Sequence, residues 1–376
     1  MDGADLSALN IALVIESLAG GGAERVVLEL AKEFTKQGHN TVIIGLQNRH
    51  EYDLPTTVPI HFLYKQNRAK LYKKSKREEH VSNLLKLFAE LESNLGTFDL
   101  ILSNLDESHY LLSACQLPNT YFVVHNAIRK TLDRALRMGP IKYFRQRRLF
   151  KSLNGKNLIA VSKGLQQELL TQTLFKPRSV GQIYNPFNIK EIVSLSQKPN
   201  AQIPSRPYLI HVGRFAKQKR HDVLFDALKV MPDNTRLVCL GANKAGIEKL
   251  ATKKGVLEKL IVPEFQQNPY NWIARAECLV LSSDFEGFGN VLIEAQLCET
   301  RVVSTDCDFG PNEILTGNLA NNLVPVRDSE KLANRILKVL QKPKLQHSDF
   351  ELSAITPDKV TSKYLALVAE NSAIND

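Results

Sequence analysis

The sequence predicts an α/β protein built as two consecutive, doubly wound, Rossmann-like domains, each with a parallel sheet. Three observations carry that reading. Short apolar runs rich in β-branched residues alternate with helix-length amphipathic stretches from one end to the other, the pattern of βα units. The alternation fades once, into a polar stretch containing three prolines, and then restarts. The length, 376 residues, exceeds what one hydrophobic core usually organises.

Seven strands are predicted in the first half, at Ile11–Ile15, Thr41–Leu46, Ile60–Leu63, Leu100–Leu102, Tyr121–Val124, Leu158–Val161 and Val180–Ile183. Between the first two, Val26, Val27, Leu30, Ala31 and Phe34 recur at helical spacing within Ala23–Gln37, ahead of a stop at Gly38. The first unit is therefore strand, glycine loop, helix. After Asn188 the pattern weakens, and Pro199, Pro204 and Pro207 mark a linker over 199–207 between a domain at 1–198 and a second at 208–355. Strands are expected there at Tyr208–Val212, Arg236–Leu240, Leu260–Val262, Cys278–Leu281, Arg301–Val303 and Asn322–Val324. A last helix follows at Pro357–Ala369 with no strand after it, within a closing segment at 356–376. Folds of this kind bind ligands at the carboxyl ends of their strands, so a cleft shared by the two domains is the expected site.

Composition narrows the classes. With 43% hydrophobic and 23% charged residues the chain can bury a sizeable core and lacks the polar bias of disorder. Cys115, Cys239, Cys278, Cys298 and Cys307 lie far apart with no CxxC pair, which predicts free thiols in the cytoplasm and no thiolate zinc site. Asp2 and Asp5 stand where a secretory signal would be basic, Ile11–Ile15 is too short for its apolar region, and no apolar run nears the roughly 18 residues of a membrane span. The formal charge of +10 is uneven. Between His61 and His80, Lys65, Arg68, Lys70, Lys73, Lys74, Lys76 and Arg77 face only Glu78 and Glu79. From Arg129 to Lys156, ten basic residues face only Asp133, and Leu136, Met138, Ile141, Tyr143, Phe144, Leu149 and Phe150 stand among them. Such concentrated charge implies an anionic partner, and the second run suits an interfacial helix; solvated helix faces are the plainer alternative.

Three motifs carry chemistry. Gly20, Gly21 and Gly22 separate the first strand from its helix, where bare backbone lets a ligand approach N–H groups and the positive helix end; a tight turn reads the same way. Arg25 occupies the place of the third glycine of a dinucleotide fingerprint, which counts against a nicotinamide enzyme. Arg214 and Lys219, five residues apart after the strand that ends the first βα turn of the second half, can neutralise a pyrophosphate, or form a basic loop on a basic protein. The most specific stretch runs from Ser282 to Glu294. Gly287 and Gly289 open the backbone, Asn290 begins a helix, and Glu286 and Glu294 stand eight positions apart on either side of the helix start. This offers backbone donors to an anionic or polyhydroxylated ligand with a carboxylate for each end, unless the two acids merely cap the helix.

Glu286 to Glu294 resembles the E-x7-E motif of retaining nucleotide-sugar glycosyltransferases of GT-B fold, family GT4. Gly20–Arg25, Val212–Lys219, Val302–Leu315 and the terminal helix fall where that family has corresponding elements, so the likeness covers essentially the whole chain. The resemblance implies that Arg214 and Lys219 neutralise the donor diphosphate and that Glu294 binds its ribose. Glu286 and the backbone of Gly287, Phe288, Gly289 and Asn290 would hold the sugar and its proximal phosphate, which Gly21 and Gly22 would face from the other domain. It assigns His125 a contact near the reacting carbon and carries the terminal helix back onto the first domain. A glycine often follows the lysine of the family's basic loop; Arg220 stands there instead. Asp306-Cys307-Asp308 imitates a DxD metal motif, but its place after a GT-B strand makes that a chance match, so no metal and no cofactor beyond the nucleotide sugar is expected.

The resulting expectation is transfer of a hexose-type sugar, most simply from a UDP-sugar, with retention, the leaving phosphate oxygen itself receiving the acceptor proton. The basic first half points to a lipid-linked or lipopolysaccharide-type acceptor, with the enzyme docked on the anionic cytoplasmic face of the membrane. A GT-B UDP-sugar epimerase would share the architecture. A nucleic-acid binder would explain the charge but would need a recognition signature the sequence lacks.

Overall fold

The computed structural model describes residues 8–51, 54–66, 70–241, 243–263, 265–342 and 348–375, with side chains to residue 369. Arg68 of the first basic run and the acidic Asp2 and Asp5 lie outside the described residues. Contacts divide the chain into two units, Met1–Pro186 with Ser353–Asp376, and Phe187–Leu352.

The first unit runs β1 (Asn10–Ile15), α1 (Gly22–Lys36), β2 (Asn40–Gln47), β3 (Ile60–Tyr64), α2 (Arg77–Leu95), β4 (Leu100–Asn104), α3 (Asp106–Cys115), β5 (Thr120–Val124), α4 (Ile128–Arg137), α5 (Pro140–Lys151), β6 (Asn157–Ala160), α6 (Lys163–Thr171) and β7 (Ser179–Gln182). All seven strands are parallel, in the order β3-β2-β1-β4-β5-β6-β7. β1 is buried from Ile11 to Ile15 and β4 throughout, which is why both read as continuous apolar runs rather than alternating ones. The apolar stripe of α1 is buried as its spacing predicts, and the helix stops before Gly38, whose φ of +90° only glycine takes freely. Each large aliphatic side chain fully buried in this way contributes about 1.5–3 kcal/mol.

The second unit runs α7 (Ile189–Gln197), β8 (Leu209–Val212), α8 (His221–Lys229), β9 (Leu237–Leu240), α9 (Lys244–Lys254), β10 (Leu260–Ile261), α10 (Tyr270–Arg275), β11 (Cys278–Leu281), α11 (Asn290–Leu297), β12 (Arg301–Thr305), α12 (Pro311–Ile314), β13 (Leu323–Val324) and α13 (Ser329–Leu340). Its six strands are parallel in the order β10-β9-β8-β11-β12-β13. The core joins Phe225, Leu228, Cys239, Val280, Val303 and Ile336. Asn188, Asn243 and Asp328 cap α7, α9 and α13 with their side chains. All five cysteines are free.

The thirteen strands lie where the sequence places them, to within two residues. The unit boundary differs from the reading of a linker at 199–207. It falls at Pro186/Phe187, because α7 buries Ile192 and is tied to the segment around α10: Asn268 Nδ2, just before α10, donates to the Leu195 carbonyl at 2.8 Å, and Asn271 Nδ2 to that of Lys198, just after α7, at 3.4 Å. The polar composition of 199–207 reflects an exposed loop of the second unit. The final helix α14 (Pro357–Asn375) packs with the first unit, where Gln37 Nε2 donates to Thr361 Oγ1 at 2.8 Å and Val360 and Tyr364 are buried.

The second basic run is a helix hairpin rather than one interfacial helix. Gly139, at φ +109°, and Pro140 break it between α4 and α5. Leu149 and Phe150 belong to the core, whereas Leu136, Met138, Ile141 and Phe144 gather around the break and are exposed, Ile141 by 84% and Phe144 by 63%. Several of the cations are structural: Arg148 Nη2 donates to the Tyr72 carbonyl at 2.6 Å and Arg145 lies over the Tyr72 ring at 4.5 Å. No helix among the described residues is long and apolar enough to cross a membrane.

Candidate functional site

In each sheet the strand order reverses direction once, between β1 and β4 in the first unit and between β8 and β11 in the second. Open α/β sheets bind ligands at that point, beyond the carboxyl ends of the strands. The singled-out residues stand there in both units.

In the second unit the segment after β8 is Gly213-Arg214, then a short 3-10 turn at Lys217–Lys219. The turn is tied to the exit of β11. Ser282 Oγ donates to the Lys219 carbonyl at 2.8 Å, the Asp284 amide to the Gln218 carbonyl at 2.8 Å, and Gln218 Nε2 to the Phe285 carbonyl at 2.7 Å. These bonds bring the Lys219 ammonium to Glu286 Oε1 at 2.8 Å. Glu286 is only 7% exposed and the Lys219 side chain is somewhat more open, so the pair is largely buried. A Cβ at Gly213 would lie 3.2 Å from Lys219 Cε, so the glycine leaves room for the Lys219 side chain. Arg214 is exposed, with no ion-pair partner among the described residues.

Arg220 takes the left-handed conformation, φ +49°, at the place where the resemblance expects glycine. The strain is offset by its side chain. The guanidinium holds Asp222 through two bonds of 2.9 and 2.8 Å and reaches Asp284 at 3.1 Å, which Arg327 grips from the other side with two bonds of 2.9 Å. Burial disfavours the Asp222 carboxylate, but hydrogen bonding and charge from Arg220 outweigh it and hold its pKa below the usual range. This clamp fixes the β11 exit loop that carries Glu286.

Gly287, Phe288 and Gly289 then lead into α11. Gly289 sits at φ +92° as N-cap and no side chain caps the helix; Asn290 is its first residue and Glu294, 6% exposed, lies one turn inside. Phe288 is buried against Phe187 and Phe350, at 6.4 and 6.0 Å between ring centroids. The loop is backed by Gly310, where a Cβ would fall 1.7 Å from the Phe288 carbonyl oxygen. Behind the basic turn, His211 and His221 stack edge to face at 4.7 Å. Burial lowers the His211 pKa to about 4 and keeps both rings neutral, so neither adds to the charge facing Lys219. Asp306 and Asp308 of the DxD look-alike sit in the turn after β12, where the Asp308 carbonyl accepts the Glu286 amide; no cluster of metal-binding side chains is found among the described residues.

In the first unit, register pairs Ile15 with Asn104 and Asn104 with Val123, so the chain leaves β1, β4 and β5 side by side. Gly21 is buried as the N-cap of α1 and Gly22 is its exposed first residue. A Cβ on Gly21 would lie 2.3 Å from Glu24 Oε2, so a side chain there would displace the carboxylate of a buried acid. His125 follows β5 and contacts Asn104 Oδ1 through Nε2 at 2.9 Å; burial lowers its pKa to about 4, which leaves a neutral imidazole at neutral pH.

The same edge holds carboxylates that sequence reasoning missed. Glu16, directly after β1, accepts the Glu107 amide at 2.7 Å, and Asp106 accepts from Gln146 Nε2 at 2.6 Å. Part of Glu16 remains accessible, yet burial, then the charges of Glu107, Asp106 and Glu24, push its pKa up to about 8 against the opposing Glu107 hydrogen bond. The signal was only that an acid follows each of two adjacent strands. A carboxyl that binds its proton more tightly folded than unfolded makes stability fall as pH rises from its unfolded value toward about 8. Glu16→Gln is therefore expected to flatten the decline of Tm between about pH 5 and about pH 9 and to melt above the wild type at the alkaline end. An equally steep decline in the variant would contradict this.

Comparison with known proteins places the two units in turn. Residues 20–191 match the model described as Glycosyltransferase Family 4, and residues 195–349 that described as Glycosyl transferases group 1. The chain is 28% identical, over 89% of its length and 91% of the relative's, to the N-acetylgalactosamine-N,N'-diacetylbacillosaminyl-diphospho-undecaprenol 4-alpha-N-acetylgalactosaminyltransferase of Campylobacter jejuni. Among solved structures it superposes on WaaG, a glycosyltransferase involved in lipopolysaccharide biosynthesis, with a TM-score of 0.69 at 16% identity, covering 94% of this chain and 99% of that one. It superposes on HepE from Anabaena, solved with UDP and glucose, with a TM-score of 0.64 at 17% identity over 98% of each chain.

Proposed function

The chain is a GT4-like glycosyltransferase of GT-B fold, and from that footing we propose that it transfers a hexose-type sugar from a nucleotide diphosphate sugar, UDP-linked in the simplest case, to a hydroxyl of a lipid-linked or lipopolysaccharide-type saccharide, with retention at the anomeric carbon. The observation that carries the donor assignment is the convergence, beyond β8 and β11, of an exposed Arg214, a Lys219 already oriented by Glu286, and an α11 whose start is flanked by two nearly buried carboxylates.

The reaction breaks the bond from C1 of the sugar to the diphosphate and forms one from C1 to the acceptor oxygen, and its barrier is departure of an anion from an oxocarbenium-like carbon. Charge already in place at the leaving diphosphate lowers that barrier without reorganisation. Arg214 offers a forked donor and Lys219 a point charge for it. The backbone of Gly287 to Asn290 and the positive end of α11 take the proximal phosphate and sugar, Glu286 accepts from sugar hydroxyls while keeping Lys219 aligned, and Glu294 accepts from the ribose. Within the first unit, Gly21 and Gly22 present bare backbone at the start of α1, which suits a phosphate. His125, neutral at working pH, is a hydrogen-bonding partner for the sugar rather than a charge. The leaving phosphate oxygen takes the acceptor proton, so no metal is required in this reading.

The relative from Campylobacter jejuni is named for a diphospho-undecaprenol acceptor, and this supports a lipid-linked acceptor here. The exposed Leu136, Met138, Ile141 and Phe144 among the cations of α4 and α5 support docking on an anionic membrane at its cytoplasmic face. The test is incubation with UDP-sugars and a polyprenyl-linked saccharide, with the product linkage read by NMR in the presence and absence of EDTA. The donor's anomeric configuration and EDTA-insensitive turnover are expected; inversion, a strict need for a divalent ion, or epimerised donor without transfer would each overturn the corresponding part. Retention on vesicles of acidic lipid at low salt, lost at high salt, is expected for the membrane assignment, and no retention would remove it.

A further inference from the structure

A cavity of about 440 Å³ opens beyond the carboxyl end of β3, lined by Tyr64, Lys65, Gln66, Lys70, Lys73, Lys76, Glu79 and His80. Four lysines thus line a space at the lower end of small-molecule sites, with one carboxylate among them. Among the described residues Glu79 pairs with Lys76, at 3.6 Å.

The walls are built before any ligand arrives. Leu71 is fully buried and anchors the lysine segment, Arg148 holds the Tyr72 carbonyl, and Arg77 grips the Tyr110 carbonyl with bonds of 3.0 and 2.6 Å. On the floor, Asn83 Nδ2 donates to Tyr64 Oη at 3.2 Å and Tyr64 Oη lies 2.5 Å from His80 Nδ1. Burial lowers the His80 pKa and keeps the ring neutral. The Lys70 backbone also holds the ring by a hydrogen bond, which favours the charged form without outweighing burial. Four lysines around a cavity with one carboxylate among them describe a receptor for phosphate oxygens, and that carboxylate is too little to make it a structural ion-pair network.

We propose that this cavity binds the diphosphate that links the acceptor saccharide to its lipid. The inference rests on the acceptor reading above and deepens it, giving the acceptor a charged handle separate from the donor diphosphate. Polyanions recognised by lysine ammonium groups rather than by shape would bind with strong salt dependence, and the contact would be made equally before and during reaction, so it acts on KM and not on kcat.

The test uses the full chain and Lys70→Ala/Lys73→Ala, both exposed positions whose loss should not unfold the protein. Titration with inorganic pyrophosphate, with UDP present to occupy the donor site, is expected to show binding in the wild type and in Arg214→Ala, weakened on the order of tenfold or more in the double variant. Unchanged pyrophosphate binding in the double variant would overturn the proposal. With a polyprenyl diphosphate-linked acceptor, the double variant should raise KM by a similar factor at constant kcat. Flotation on phosphatidylglycerol vesicles separates the two sources of phosphate. Retention should depend on Lys70 and Lys73 only when the vesicles also carry a polyprenyl diphosphate; equal loss on plain vesicles would assign the cavity to lipid headgroups and overturn the acceptor assignment. Failure of the donor reading would show instead as nucleotide binding indifferent to Arg214, with the pyrophosphate result intact.

Discussion

Replacing Lys219 with alanine is expected to lower sugar-transfer kcat/KM on the order of 10²-fold or more, because it removes a preorganised cation from the leaving diphosphate. The structure adds a second consequence. Glu286 is nearly buried and Lys219 is its ion-pair partner at 2.8 Å, so the variant strands a carboxylate. Breaking a buried pair from one side costs about 3–5 kcal/mol, and Lys219, being more open than Glu286, places this case at or below the lower end. The two effects separate with Lys219→Ala/Glu286→Gln, which should recover stability by removing the stranded charge while leaving turnover as low as before. Chemical denaturation and steady-state kinetics on the wild type and the two variants check this. Activity near wild type in Lys219→Ala would mean that the diphosphate is neutralised elsewhere.

Gly310→Ala should be as damaging by a purely steric route. The new Cβ would stand 1.7 Å from the Phe288 carbonyl oxygen and 2.3 Å from its carbon, and the backbone at φ +93° already suits glycine alone. Neither partner is a flexible side-chain end, so the loop from Gly287 to Asn290 must move. Overpacking costs about 1–3 kcal/mol and sometimes more, with about 1–3 kcal/mol further for the backbone conformation. Because the displaced atoms belong to the loop assigned to the donor phosphate, nucleotide binding should fall with stability. Gly289→Ala is the comparison: it bears a similar φ of +92°, but its Cβ would meet only the Leu292 and Ile314 side chains, at 3.5 and 3.9 Å. A smaller loss is expected there, and equal denaturation midpoints for the two variants would contradict the steric account.

What the sequence made legible and what it hid follow one physical division. Parallel βα units write themselves locally, since strands covered on both faces are short apolar runs and their helices keep a single stripe, so β1 through β13 could be placed by eye. Glycines forced by backbone geometry, such as Gly289, are local too. Pairings across the sheet are not: Asp284 meets Arg327 forty-three positions on, and the Glu107 amide meets Glu16 across ninety-one. No spacing rule announces such contacts. Arg220 shows the limit most clearly, for its left-handed backbone looks forbidding until the carboxylates of Asp222 and Asp284 are seen around its guanidinium. The unit boundary was missed because polarity marks exposure and not separation; the loop at 199–207 is polar although α7 before it is docked against α10.

The account stands on a nucleotide diphosphate site beyond β8 and β11. The most direct test is thermal stabilisation by a panel of nucleoside diphosphates and nucleotide sugars, measured on the wild type beside Arg214→Ala. Arg214 is exposed and has no ion-pair partner among the described residues, so the variant should melt with the wild type when no ligand is present. Stabilisation by UDP, or by whichever base the site prefers, that shrinks or vanishes in Arg214→Ala is the predicted result. No shift with any nucleoside diphosphate at millimolar concentration, or a shift that ignores the substitution, would contradict it.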